Sequence, residues 1–74
     1  RRKKGRLFVK ISINGKETDM ENGVTIEKLL LSLGVKPEGI AVELNKEIVP
    51  RAGHRLTAIK ENDSIEIIRM AGGG

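Results

Sequence analysis

Apolar and polar positions alternate from Leu7 to Ile13, with Leu7, Val9, Ile11 and Ile13 on one side and Phe8, Lys10 and Ser12 on the other. A period of two is that of a strand with one buried face. Asn14-Gly15 follows at once, and both residue types tolerate positive φ, so the pair predicts a two-residue hairpin turn with Lys16 to Met20 returning antiparallel. After a loop at Glu21-Asn22-Gly23 the period changes. Ile26, Leu29, Leu30 and Leu33 follow the i, i+3, i+4, i+7 rule and predict one apolar helix face. Thr25 is placed to cap its N-terminus and Gly34 to end it in a left-handed conformation.

Pro37-Glu38-Gly39 then turns the chain. Ile40 to Leu44 reads as a third strand, Asn45-Lys46 as a weaker turn, and Glu47 to Val49 as a short partner strand. Pro50, without an N–H, ends that pairing. Arg51 to Lys60 has little pattern, although Leu56 and Ile59 are expected to plug the end of the core. Asn62-Asp63-Ser64 turns into a last strand, Ile65 to Met70, and Ala71-Gly72-Gly73-Gly74 follows. Two hairpin-like pairs, one helix between them and a closing strand predict an α+β fold: a mixed sheet of four to five strands with one helix packed on one face.

Composition narrows the chemistry. The 74 residues suffice for one domain with a thin core, and 38% apolar content argues against wholesale disorder. Without cysteine there is no disulfide and no thiol nucleophile, and His54, the one histidine, has no thiolate partners for a structural zinc site. No metal site is expected. No run approaches the ~20 apolar residues that span a bilayer, and no secretory signal is evident, so a cytoplasmic protein is expected. The net charge of +4 arises at one end: Arg1, Arg2, Lys3, Lys4 and Arg6 are five of the 14 basic residues, and without them the balance is −1. The expected organisation is a basic extension over 1–6, disordered or a remnant of processing, a folded domain over 7–70, and a flexible glycine tail over 71–74.

Two readings of the tail are open. One is a linker. The other is a chain end built for chemistry, because residues without side chains thread a narrow cleft and adopt backbone angles closed to others. A carboxylate is a poor electrophile, so such an end would first be activated as an acyl-adenylate by a partner that uses ATP. Two segments weigh on the choice. The run IAVELNKEIVPR over 40–51 and the run DSIEIIRMAGGG over 63–74 resemble the middle segment and the closing strand and tail of the ThiS sulfur carriers of thiamine biosynthesis. The opening strand, Asn14-Gly15 and the Thr25 helix fall in matching order, so the resemblance extends from about Leu7 to Gly74.

The resemblance implies a ubiquitin-like β-grasp fold and a carrier that is not itself an enzyme and holds no cofactor. It implies that an E1-like, ThiF-type adenylyltransferase activates Gly74 and that a donor such as a cysteine desulfurase supplies sulfur to form a thiocarboxylate. It further implies that a ThiG-type thiazole synthase consumes this sulfur. Gly73 is the other half of the terminal pair and Gly72 an additional glycine. Asn62-Asp63 stands where the family usually has Gly-Asp. The nearest alternative is the small subunit of molybdopterin synthase, whose members approach the glycine pair with aromatic and proline residues where this chain has Ile68 to Ala71. A ubiquitin-like protein modifier is a third.

Alternation along the first and last strands adds an expected docking patch. If Ile65 and Ile67 face the helix, then Phe8, Ile68 and Met70 fall on the opposite side of the sheet, as an exposed apolar patch leading to the tail. Other residues are expected to be bland: His54 solvated in a loop, Glu43, Glu47, Glu61 and Asp63 solvated at edges and turns, and Arg51 a loop anchor or a partner contact. The basic head raises nucleic-acid binding, but no aromatic residues are interleaved there to stack on bases.

Overall fold

The computed structural model describes residues 7–70. In chain order it comprises β1 (Phe8–Ile13), β2 (Lys16–Glu21), α1 (Ile26–Leu33), β3 (Ile40–Leu44), β4 (Glu47–Val49), a 3-10 helix η1 (Arg51–Leu56) and β5 (Ser64–Arg69). The five strands form one sheet in the order β2-β1-β5-β3-β4. β5, last in sequence, lies at the centre, parallel to β1 and antiparallel to β3.

Turn chemistry sets this arrangement. Asn14 and Gly15 both take positive φ, at 50° and 83°, as the tight β1–β2 turn requires. The Asn14 side chain then accepts from the Ile67 N–H at 2.8 Å, which ties the turn to β5. Asn45 does the same on the other side. At φ 52° it forms the β3–β4 turn, accepts from the Ser64 N–H at 2.9 Å and donates to Asp63 at 3.0 Å. Asn62, in place of the usual glycine, carries φ 71° before β5. Asparagine is the side chain best suited to that region after glycine.

Thr25 caps α1 by accepting from the Lys28 N–H, and Gly34 closes it at φ 72°. The Val35 N–H returns to the Leu30 carbonyl at 2.9 Å, the six-to-one bond of a Schellman ending. Eight residues are too few for a stable isolated helix, so α1 depends on the face it buries. Ile26, Leu29 and Leu30 pack onto the inward residues Val9, Ile11, Val42 and Ile65, and Ile59 closes one end of the core.

Four expectations change. Leu7 precedes β1 and is exposed, because the chain pairs there only through its carbonyl, which accepts from Asn22. Leu33 is 47% exposed, and Val35, returned by the Schellman turn, packs against the core beyond it. Leu56 is exposed and His54 is buried at 6% exposure, the reverse of the expected roles. The cause is η1: its three residues per turn place His54 and Leu56 on different sides, and the inward one is His54.

Candidate functional site

The expected reacting residue, Gly74, and its neighbours Gly72 and Gly73 lie outside the described residues, as does the Arg1 to Arg6 head. The described part of the site is the strand that leads to the tail. β5 is held on both sides, and beyond its last pair, Ile40 with Arg69, the Met70 N–H donates to the Gly39 carbonyl at 2.9 Å. Gly39 sits at φ 79°, a turn conformation that presents this carbonyl at the start of β3. The chain is therefore fixed up to Met70, in the middle of the sheet and at one end of it.

One face of the sheet is covered by α1 and the other is open. Cross-strand pairs assign the open face. Phe8, Lys10 and Ser12 stand opposite Glu21, Asp19 and Glu17, and Ser12 stands beside Ser64, with 3.5 Å between their hydroxyls. Further along β5 on the same face come Glu66 and Ile68, opposite Glu43 and Ala41 of β3. Glu43 in turn stands opposite Ile48 of β4. Ile68 at 39% and Met70 at 55% exposure thus stand at the end from which the tail departs, while Ile48 at 59% lies on the same face two strands away, level with Glu66. Glu17, Asp19, Glu21, Glu43 and Glu66 make the rest of this face acidic, with Lys10 the opposing charge within these strands.

Phe8 does not belong with Ile68 and Met70. It is exposed on the expected face, but β1 and β5 run parallel with Ser12 beside Ser64. Phe8 lies four residues before that pair and Ile68 four residues after it. At ~3.3 Å per residue the two are roughly 26 Å apart along the strands. Alternation assigns a face but not a position along it, and strand direction decides the second. Ile48 was missed for the same reason. Its place on the open face, level with Glu43 and Glu66, is legible only once β3 is known to pair with both β4 and β5.

Other candidates resolve plainly. Among the described residues no group of His, Asp and Glu is placed to hold a metal ion. Asp63 is structural: it accepts from the Lys60 N–H at 2.7 Å and from Asn45. Glu61 accepts from the Lys10 N–H at 3.0 Å. Arg51 pairs with Glu38 at 3.0 Å in an exposed bridge. The Glu38 carboxyl titrates below its ordinary range, first through its own backbone hydrogen bond and then through the Arg51 charge. No helix among these residues is long and apolar enough to cross a membrane.

Residues 8–74 match the model of the ThiS family. The chain belongs to the ThiS family. Its fold agrees with that of other ThiS proteins: the crystal structure of the thiamine biosynthesis protein ThiS from Geobacter metallireducens superimposes with a TM-score of 0.80 at 30% identity, covering 89% of this chain and all of the other. The sulfur carrier protein ThiS of Bacillus subtilis is 32% identical over 65 residues, which cover 86% of this chain and 98% of that protein. A thiazole synthase of Magnetococcus marinus is 42% identical over 66 residues, 89% of this chain, and there the ThiS-like segment makes up 20% of the relative's length. The five-stranded mixed sheet with one helix is the β-grasp arrangement of these ThiS neighbours.

Proposed function

We propose that the chain is a sulfur carrier of thiamine biosynthesis, acting as a protein substrate rather than a catalyst. The observation that carries this reading is the family match over residues 8–74, which runs from the first strand through the terminal glycines. In the proposed cycle the Gly74 carboxylate attacks the α-phosphorus of ATP in the cleft of an E1-like adenylyltransferase and pyrophosphate leaves. A protein persulfide on a sulfur donor then displaces AMP from the acyl carbon. A second thiol reduces the acyl disulfide so formed and releases the thiocarboxylate. A thiazole synthase takes the sulfur, and the carboxylate returns to the start of the cycle. A cytoplasmic setting, where these partners and ATP are found, fits the cycle.

The carrier's own share is delivery and docking. The backbone fixed up to Met70 gives partners a rigid reference point, and the four residues beyond it reach at most about 14 Å. Ile68 and Met70 form the proposed partner-binding patch beside the tail, with Ile48 further out on the same face and acidic side chains between them that favour a basic counter-surface. The link to a thiazole synthase draws support from the ThiS-like segment within the Magnetococcus marinus enzyme.

The test is intact-mass analysis after incubation with ATP, an adenylyltransferase, a cysteine desulfurase and cysteine. Exchange of one oxygen for one sulfur, abolished by deleting Gly74, is expected. An unchanged mass with partners that load another ThiS protein would overturn the reading.

A further inference from the structure

Three carboxylates stand in a column on the β2 side of the open face. Glu17, Asp19 and Glu21 are exposed and lie opposite Ser12, Lys10 and Phe8 of β1. Lys10 is the cation that β1 and β2 place on this face, whereas Lys16, opposite Ile13, falls on the other side. Among the described residues none of the three carboxylates is ion-paired. Neighbours in the column are roughly 7 Å apart, within one screening length at physiological salt. Their mutual repulsion is relieved by a cation that covers them.

The chain carries such cations where they are needed. Arg1, Arg2, Lys3, Lys4 and Arg6 precede β1. The Leu7 carbonyl accepts from the Asn22 N–H at 2.9 Å, and Phe8 stands opposite Glu21. The basic run therefore joins the domain beside the first carboxylate of the column. Glu17, at the far end, lies roughly 14 Å along β2 from Glu21, and Arg1 to Lys4 span at most about 14 Å. Gly5 between them and Arg6 can take backbone angles that reverse a chain. Phe8, 58% exposed on the same face, offers an apolar surface for lysine and arginine stems.

We propose that the basic run of residues 1–6 docks on the Glu17, Asp19 and Glu21 column of its own chain, so that a basic partner surface must displace it to reach this side of the open face. Charge selects this occupant over an external polyanion, because a phosphate surface approaching the run also meets the three carboxylates beside it. Attachment favours the same choice, since a short tether holds the run at an effective concentration in the millimolar range. Ile68 and Met70, at the other end of the sheet, stay uncovered. The site stands on the column and the run that adjoins it, and does not depend on the sulfur-carrier reading.

The chain has no cysteine, so Arg2→Cys accepts a single nitroxide in the full chain, read by broadening of amide NMR signals. At about 0.15 M salt, where charges act over ~8 Å, broadening should reach residue 17 and spare α1. It should be lost from residue 17 at about 1 M salt, where charges act over ~3 Å. The combined variant Glu17→Gln, Asp19→Asn and Glu21→Gln, at exposed positions that preserve the fold, should lose it likewise. Absence of broadening at residue 17, or broadening there that persists in the combined variant, would overturn the proposal. So would broadening transferred between nitroxide-bearing and isotope-labelled chains in a mixture, which would make a second copy the occupant. Loss of the broadening on adding phosphatidylglycerol vesicles or a short DNA duplex at the same salt would assign the run to an external polyanion and overturn it as well.

Discussion

The two faces of the sheet are written by the same strands and both carry isoleucines, yet one is covered and the other is not. On the inner face Ile11, Val42 and Ile65 are at 2% exposure or less and share one core with α1. On the outer face Ile48 and Ile68 alternate with glutamates and remain in contact with water. Burial of an isoleucine contributes on the order of 2–3 kcal/mol to folding. An exposed isoleucine contributes little until a partner covers it. The inner face holds the fold, and the outer face is available for recognition.

Ile65→Ala should separate the faces most sharply. It empties a fully buried position and should cost about 2–5 kcal/mol, read from denaturant unfolding. Its outer-face counterpart, Ile68→Glu, should leave the unfolding midpoint within ~1 kcal/mol of the parent while weakening adenylyltransferase binding by about tenfold or more. Ile48→Glu, two strands away on the same face, should weaken that binding less in a calorimetric titration. A smaller effect is expected at Glu66, which stands directly opposite Glu43. Removing that repulsion in Glu66→Gln should stabilise the free domain by about 0.2–1 kcal/mol, a gain that shrinks with added salt.

Phe8→Ser should change neither binding nor stability appreciably. If it weakened adenylyltransferase binding as Ile68→Glu does, the division of the outer face into a docking end and a remote end would be wrong. The smallest effect concerns pH. The Glu38 carboxyl is depressed in the folded chain, so its contribution to stability is present above the ordinary carboxylate range and is lost as pH falls through the lowered value. Because the Arg51–Glu38 pair is exposed, Arg51→Ala should move the Glu38 NMR titration partway up. The Glu38 backbone hydrogen bond retains the rest, and the unfolding midpoint should not change measurably.

These contrasts also mark what the sequence discloses. Short-range signals located every strand and α1: Asn14-Gly15 the first turn, Thr25 and Gly34 the two helix ends, alternation the buried sides of β1 and β5. Family resemblance also pointed to the tail as the reacting end, an expectation that lies outside the described residues. Features that depend on distant pairing were not legible. The position of Phe8 needed the parallel direction of β1 and β5, and the place of Ile48 on the same face as Ile68 needed β3 between them. η1 was hidden for another reason. A single turn or two of 3-10 helix has no period long enough to recognise, so the exchange of Leu56 for His54 as the inward residue left no trace.

The parallel course of β1 and β5 has a practical corollary. Residue 7 enters the domain at the edge remote from where residue 70 leaves it, with the length of the sheet between them. A dye, a bead or an affinity handle joined at residue 7 would stand clear of the point where residue 70 leaves the sheet. Under the proposed carrier function, chains tethered in that way should be loaded by soluble enzymes as readily as chains in free solution.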